Sequence, residues 1–170
     1  MSTLKASAER LTIYKSFQEQ VSGYKFKLYL LAKLPSAWFT GVKVVSLSNS
    51  SCKTSVPYKW LSQNPFKSTY FACQAMAAEL STGLPAIMAI QKRNPRVSML
   101  VVDMQAKFTK KAVGLTVFEC KDVEKIINTV EDAISSSEGK TVTIETIGLN
   151  KKGEEISTFT FTWSFKQKSK

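Results

Sequence analysis

The sequence contains no histidine among its 170 residues. Histidine is the side chain best suited to act as a general base near neutral pH, and it is the commonest metal ligand in proteins. Its absence excludes Ser-His-Asp and Cys-His catalysis and any histidine-ligated zinc site. An enzyme with this sequence therefore has to use carboxylates, hydroxyl groups, backbone dipoles or bound water.

Cysteines and long apolar runs are also scarce. The thiols Cys52, Cys73 and Cys120 are odd in number and widely spaced, with no CxxC pair. This pattern argues against a disulfide framework and a zinc site, so we expect no bound metal and a reducing, cytoplasmic location. The most apolar early stretch, residues 24–39, is interrupted by lysines and too short to span a bilayer, and no apolar signal core precedes it. We expect a soluble protein without stable membrane insertion.

Positive charge exceeds negative charge in the chain. Twenty-four lysines and arginines against 13 acidic residues give a formal net charge of +11, which favours an anionic partner. The alternating aromatic residues of the segment 159–165 suit core packing better than base stacking, so we expect no nucleic-acid partner. A 44% apolar composition over this length predicts one globular domain.

Hydrophobic periodicity divides the chain into helices and strands. Two helices are predicted within residues 8–34, with a break at Ser22-Gly23. A β-hairpin, a nearly uncharged helix, and four strands with one amphipathic helix among them are predicted to follow. The predicted bounds are 42–47 and 52–58 for the hairpin, 69–83 for the uncharged helix, 99–108, 114–120, 141–148 and 155–165 for the strands, and 123–134 for the amphipathic helix.

The uncharged helix carries apolar or small residues on nearly every side and therefore has to be buried. We expect it to end at Gly83, because Pro85 follows shortly afterwards. An antiparallel sheet covers such a helix best by curling around it. The prediction is an α+β fold, with about six antiparallel strands in a curved sheet wrapped around a central helix and additional helices at the N-terminus.

The order of these elements resembles the hotdog fold, and one local motif resembles thioesterases of the phenylacetic-acid-degradation type. Those enzymes show a loop asparagine, a histidine six residues later and an acidic residue nine positions beyond the histidine. Asn64, Tyr70 and Glu79 stand at these spacings. The resemblance implies a thioesterase-like branch of this superfamily, with a hotdog core over residues 41–166 and an N-terminal helical extension over residues 1–40.

The resemblance further implies hydrolysis of an acyl-CoA or related thioester. No cofactor is expected beyond the coenzyme A that belongs to the substrate. Glu79 would act as a general base on water, or would attack the thioester directly to form an anhydride. If Glu79 faces a pocket, desolvation should raise its pKa.

Other residues would assist Glu79. Asn64 would position the water or the thioester carbonyl. Backbone N–H groups of Tyr70 and Phe71, at the start of the helix, would bind the oxyanion, and Thr82 would hold the water. The phosphates of coenzyme A would be bound by basic residues, for which the candidates are Lys92, Arg93, Arg96, Lys110 and Lys111.

Glu79 and the start of its helix are too far apart for one site within a subunit. Nine residues separate Tyr70 from Glu79, which corresponds to about 13 Å along the axis and about two and a half turns. The family resolves this separation by dimerising, so Glu79 is expected to face Asn64 and the helix start of a second subunit. We predict a homodimer or a dimer of dimers that acts on a small acyl thioester.

Two departures from the family motif leave an alternative function open. Tyr70 replaces the family's histidine, and Phe71 with Ala72 replaces the small pair that follows it. A bulky Phe71 restricts the approach of a thioester to the helix. The alternative is a hotdog module that binds an acyl chain or acyl-CoA without cleaving it.

Structural roles are also compatible with the same residues. Glu79 fits a buried carboxylate satisfied by its neighbours, Asn64 fits a turn or helix cap, and Cys73 fits a packed apolar group. Tyr70 fits a residue that fills the space of the family's histidine. The segment 24–39 also suits a basic amphipathic stretch lying on an anionic membrane.

Overall fold

The computed structural model describes residues 2–168, with side chains from residue 8 onward. Helices α1 (Ser2–Ser22) and α2 (Tyr24–Lys33) open the chain, which confirms the two predicted helices and the break between them. A short helix that the prediction lacks, α3 (Pro35–Thr40), follows at once. Its proline lies in the first turn, where a missing N–H costs no helical hydrogen bond.

One six-stranded antiparallel sheet follows, as predicted. Its spatial order is β1-β2-β4-β5-β6-β3, so β1 and β3 are the edge strands. The observed bounds lie within two residues of the predicted ones. The strands are β1 (Lys43–Leu47), β2 (Cys52–Val56), β3 (Val97–Phe108), β4 (Thr116–Cys120), β5 (Lys140–Leu149) and β6 (Glu155–Gln167).

The central helix α4 (Phe71–Ile90) is surrounded by the sheet and contacts all six strands. The alternating aromatic residues of β6 face the core, and all four are at least 97% buried: Phe159, Phe161, Trp163 and Phe165. Helix α5 (Val123–Ser135) buries its apolar face against α4, β5 and β6. The expected curved sheet around a central helix is therefore confirmed.

The prediction that the central helix ends at Gly83 is wrong, because α4 continues through Gly83 and Pro85 to Ile90. A proline inside a helix costs about 3 kcal/mol. The residues after Gly83 include Leu84 and Met88, which are almost completely buried, and each such side chain contributes about 1.5–3 kcal/mol. Burial in the tertiary structure therefore outweighs the local stop signal.

Side chains from distant elements satisfy the last carbonyl groups of α4. The guanidinium of Arg10 on α1 donates hydrogen bonds to the carbonyls of Gln91, at 2.8 Å, and Ala89, at 3.2 Å. Arg93 Nε donates to the same Ala89 carbonyl at 2.9 Å. These bonds attach α1 to the end of α4, where free carbonyls would otherwise carry the negative end of the helix dipole.

The N-terminal helices lie against the rest of the structure. Helix α1 contacts β1, α2 and α4, and α3 contacts α4. Over residues 2–168, each helix falls short of the length and apolar character needed to cross a membrane.

Candidate active site

Glu79 lies in the middle of α4, half-buried, on the wall of a cavity of about 230 Å³. Met76 and Leu80 of the same helix line the cavity beside it. The opposite wall is the junction between α2 and α3, formed by residues 33–37. The N-terminal extension therefore forms part of the surroundings of the carboxylate, which the sequence reasoning did not anticipate.

The carboxylate of Glu79 has no protein partner among the side chains and backbone groups of residues 8–168. None of them donates a hydrogen bond to it, and Lys33, on the opposite wall of the cavity, forms no ion pair with it within 4 Å. Burial raises the pKa of the Glu79 carboxyl, as expected, because desolvation disfavours its charged form. Glu79 is therefore not a buried structural carboxylate whose charge is satisfied by neighbouring groups.

Gly83 makes room for the carboxylate of Glu79. A Cβ atom at Gly83 would lie 3.0 Å from Glu79 Oε1 and 3.4 Å from the indole ring of Trp163. A side chain at this position would therefore displace the carboxylate by a few tenths of an ångström, whereas the indole ring is at the edge of ordinary van der Waals contact. Sequence reasoning missed the roles of Gly83 and Trp163, although the one-turn spacing of Gly83 from Glu79 was a usable signal.

Thr82 is placed differently from its expected role. Its hydroxyl is fully buried, donates to the backbone carbonyl of Glu79 at 3.0 Å and accepts the indole N–H of Trp163 at 3.0 Å. Both bonds are internal, so the hydroxyl does not face the cavity to hold a water. Thr82 instead connects the turn of α4 that carries Glu79 to strand β6.

Asn64 shapes the loop that leads into α4. Its Oδ1 accepts hydrogen bonds from the backbone N–H groups of Phe66, at 3.0 Å, and Ser68, at 3.2 Å, and from the Ser68 hydroxyl at 3.2 Å. This is the turn role that the local sequence suggested. The amide Nδ2 makes no hydrogen bond within residues 8–168 and remains a donor for a ligand.

The start of α4 leaves one of the two predicted donors free. The Tyr70 N–H donates to the Ser62 carbonyl at 2.7 Å, so this part of the predicted oxyanion site is wrong. The N–H groups of Phe71 and Ala72 form no hydrogen bond within the described chain, because both precede the first intrahelical donor. The Phe71 ring is 53% exposed and lies edge-on to the Tyr70 ring.

The predicted basic residues do not form one cluster. Lys92 and Arg96 are exposed near the beginning of β3, whereas Lys110 and Lys111 follow its end, about 36 Å away along the strand. They cannot bind the same phosphate within one subunit. Lys111 lies beside the loop before α4, since its Nζ donates to the Phe66 carbonyl at 3.3 Å.

Two of these cations have structural partners. Lys110 forms an ion pair with Glu154 at 3.1 Å. Arg93 binds the carboxylate of Glu131 and also donates to the hydroxyl of Tyr14 at 3.3 Å. Since Arg93 also caps α4, its donors have partners within the chain, and its role at a coenzyme A phosphate stays a prediction.

The three cysteines behave as packed apolar groups. All are buried free thiols, and burial raises the pKa of each, that of Cys120 to about 11. A thiol with a raised pKa is a poor nucleophile at neutral pH, which agrees with the packing role considered for Cys73.

One subunit therefore brings together Asn64, the free amides of Phe71 and Ala72, and Lys111, but it does not bring Glu79 to them. Because α4 is continuous, Glu79 lies about 12 Å beyond Phe71 along the axis. The result is two separate polar regions on one helix, the unpaired N–H groups at its start and a carboxylate in its middle.

A family model matches most of this chain, from α2 to β6. The family is described as Domain of unknown function (DUF4442), and the match covers residues 24–165. No curated protein sequence matches the chain.

Solved structures share the fold. A Pseudomonas aeruginosa protein of unknown function, named a probable thioesterase, has a TM-score of 0.72 and 17% identity over 86% of this chain and 97% of its own. A Chlorobaculum tepidum protein of unknown function has a TM-score of 0.73 and 16% identity, covering 89% and 97%. A Haemophilus influenzae thioesterase has a TM-score of 0.58 and 8% identity, covering 82% and 88%. At these identities the similarity shows the fold, and the hotdog fold is confirmed.

Proposed function

The chain belongs to the DUF4442 family and has the hotdog fold, and on this basis we propose that it hydrolyses acyl thioesters with Glu79 as the catalytic carboxylate. One observation carries the proposal. A carboxylate without a protein partner lines a cavity in the middle of a buried helix, where desolvation raises its pKa. Such a carboxylate is a stronger base than an exposed one and suits general-base catalysis.

The chemistry needs one proton transfer in each direction. Glu79 accepts a proton from water while the water oxygen attacks the thioester carbonyl carbon. The carbonyl electron pair moves to oxygen, and the N–H groups of Phe71 and Ala72 from a second subunit stabilise the resulting negative charge. When the tetrahedral intermediate collapses, the C–S bond breaks and the leaving thiolate takes the proton from Glu79.

Asn64 and Lys111 support this arrangement from the loop before α4. The Asn64 Oδ1 is held by three hydrogen bonds, so its free Nδ2 has a fixed direction from which to donate to the thioester carbonyl. Lys111 lies close to the same loop and would attract a phosphate of coenzyme A.

A homodimer formed through β3 supplies the helix start of the second subunit. One edge of β3 pairs with β6, and its other edge pairs with no strand within residues 2–168. A long unpaired edge is a ready template for pairing with another strand. Two copies of β3 in antiparallel pairing would extend the sheet across both subunits.

The exposed apolar side chains of β3 support this interface. Met104 and Ala106 pair with Phe161 and Phe159 of β6 and therefore share the face that α4 covers farther along the sheet. Nevertheless, Met104 is 45% exposed. A second subunit would bury this strip and bring its own helix start towards Glu79.

The first test incubates the purified protein with a panel of acyl-CoA substrates and measures hydrolysis as the release of free thiol. Glu79→Gln keeps the size of the side chain but removes the base, and we expect kcat/KM to fall by about 10²–10⁴-fold. The matched control is Glu145→Gln on an exposed position of β5, which should keep its activity. Unchanged thiol release by Glu79→Gln would refute the assignment.

A second candidate is binding of an acyl thioester without cleavage. It is favoured by the engaged Tyr70 amide, which removes one expected oxyanion donor, and by the exposed Phe71 ring at the helix start. This function predicts co-purified acyl-CoA or lipid in native mass spectra without turnover. Measured turnover that depends on Glu79 would exclude it.

A further inference from the structure

A second, larger cavity lies between α1, α2 and α4, and none of the roles above uses it. Its volume is about 800 Å³, within the range of about 300–1,000 Å³ typical of small-molecule sites. Its walls are mainly apolar, with lining side chains that include Phe17, Val21, Phe26, Tyr29, Leu84 and Ile87.

The polar lining residues of this cavity come mainly from the ends of its walls. They include Glu19 and Gln20 near the end of α1, Lys25 in the first turn of α2, and Gln91 just after α4. Mainly apolar walls with polar groups near their ends favour an occupant that is long, apolar and uncharged over most of its length. Each buried methylene of such an occupant raises its affinity about fourfold.

The large cavity and the Glu79 cavity lie on the same side of α4. Leu84 and Ile87 of the large cavity continue the line of Met76 and Leu80 at intervals of three or four residues. Ile87 lies eight residues beyond Glu79, or about 12 Å along the axis. An acyl chain that starts beside Glu79 and follows α4 therefore runs towards the large cavity.

Helix α2 covers both cavities. Phe26 and Tyr29 line the large cavity, while Lys33 and Leu34, one turn farther on, line the Glu79 cavity. Leu30, the buried residue of α2, lies between these two groups along the helix.

We propose that the large cavity binds the acyl chain of a medium- or long-chain thioester, with α2 as its cover. This rests on the proposed function, which places the thioester carbonyl beside Glu79. A butyryl group is too short to bridge the distance of about 12 Å, whereas lauroyl and palmitoyl groups are long enough. The N-terminal extension then determines the preferred chain length.

The test fills the cavity and measures chain-length preference. In Ile87→Trp, a larger side chain occupies the apolar space, so kcat/KM should fall about tenfold or more for lauroyl- and palmitoyl-CoA and stay within about twofold for butyryl-CoA. If Ile87→Trp fails to fold, Val21→Trp is used instead, because it fills the same cavity from α1 and should have the same effect. The control is Leu28→Trp on the exposed side of α2. Equal losses for all chain lengths, or undiminished palmitoyl-CoA hydrolysis, would overturn the proposal.

Binding separates this proposal from the proposed function. Palmitoyl-CoA is titrated calorimetrically into Glu79→Gln and into the same protein with Ile87→Trp added. We expect binding to weaken about tenfold or more in the double variant, whether or not the wild-type protein shows turnover. If the wild-type protein shows no turnover but binding weakens in the double variant, hydrolysis is refuted and the acyl cavity is not. If the wild-type protein shows turnover but Ile87→Trp leaves binding unchanged, the acyl cavity is refuted and hydrolysis is not.

Discussion

Glu79 has opposite effects on stability and on the proposed activity. Its pKa is raised in the folded protein from the usual value of 4.5, so the folded state binds the proton more tightly than the unfolded state does. The stability that this provides is fully present below the unfolded pKa and is lost as pH rises through the folded pKa. At neutral pH the fold therefore carries the cost of a desolvated charge that catalysis requires.

Glu79→Gln should accordingly be more stable than the wild-type protein at about pH 7, because glutamine is neutral at every pH. The difference should shrink as pH falls and disappear near pH 4, where both proteins are uncharged at this position. Urea unfolding at several pH values measures it, with Glu145→Gln as the control. A stability difference independent of pH would show that the Glu79 carboxyl does not have a raised pKa in the folded protein.

Replacing Gly83 should change activity more than stability. In Gly83→Ala the new Cβ would meet Glu79 Oε1 at 3.0 Å, and the carboxylate, at the end of a flexible side chain, would move before the helix does. Alanine also favours a helix by about 1 kcal/mol over glycine. We expect unchanged or higher thermal stability with kcat lowered about tenfold.

Circular dichroism melting and thiol release measure the two effects of Gly83→Ala. Gly139→Ala is the control, since its new Cβ would meet only the Phe165 carbonyl, at 4.0 Å. If Gly83→Ala lowers the melting temperature together with the activity, Gly83 has a packing role instead of a positioning one.

At the scale of elements, the last turns of α4 depend on α1. Arg10 donates two hydrogen bonds to carbonyls at the end of the helix and lies 5.0 Å from the centre of the Tyr14 ring. Its Nε is buried without a hydrogen-bond partner, yet the two charge-assisted bonds outweigh that single loss.

Arg10→Met keeps the apolar length of the side chain and removes both bonds. We expect the free energy of unfolding to fall by about 1.5–3 kcal/mol, the usual contribution of hydrogen bonds to charged groups. Lys15→Met, at an exposed position of the same helix, should change it little. Urea unfolding of both variants measures the difference, and equal small effects would show that the cap contributes nothing.

At the scale of the whole molecule, the proposed site is complete only in a dimer. We expect sedimentation to give a mass of about 38 kDa, twice the 18.9 kDa of the chain. Met104→Glu would place a charge in the apolar strip of β3 and should yield monomers with strongly reduced thiol release. Val45→Glu, on the exposed β1 at the other edge of the sheet, should leave both unchanged. A monomeric but fully active Met104→Glu protein would rule out the shared site.

Much of this architecture could be predicted from local patterns. The alternation along β6 predicted its buried face, Gly23 predicted the break between α1 and α2, and the uncharged residues of α4 predicted a buried helix. These features depend on periods of two or about 3.6 residues, so neighbouring residues already contain the information. The order of the elements likewise predicted the hotdog fold by resemblance, and the spacing of Asn64, Tyr70 and Glu79 added the resemblance to its thioesterases.

The sequence by itself determined the class of fold, the order of its elements and the candidate carboxylate, because these follow from patterns within short segments. Only the tertiary structure decided that α4 continues past Pro85, that the Tyr70 amide and the Thr82 hydroxyl are engaged internally, and that Arg93 binds Glu131. It also placed residues 33–37 opposite Glu79. Each of these outcomes depends on burial or on a partner distant in the chain, and no local pattern specifies which distant groups come into contact.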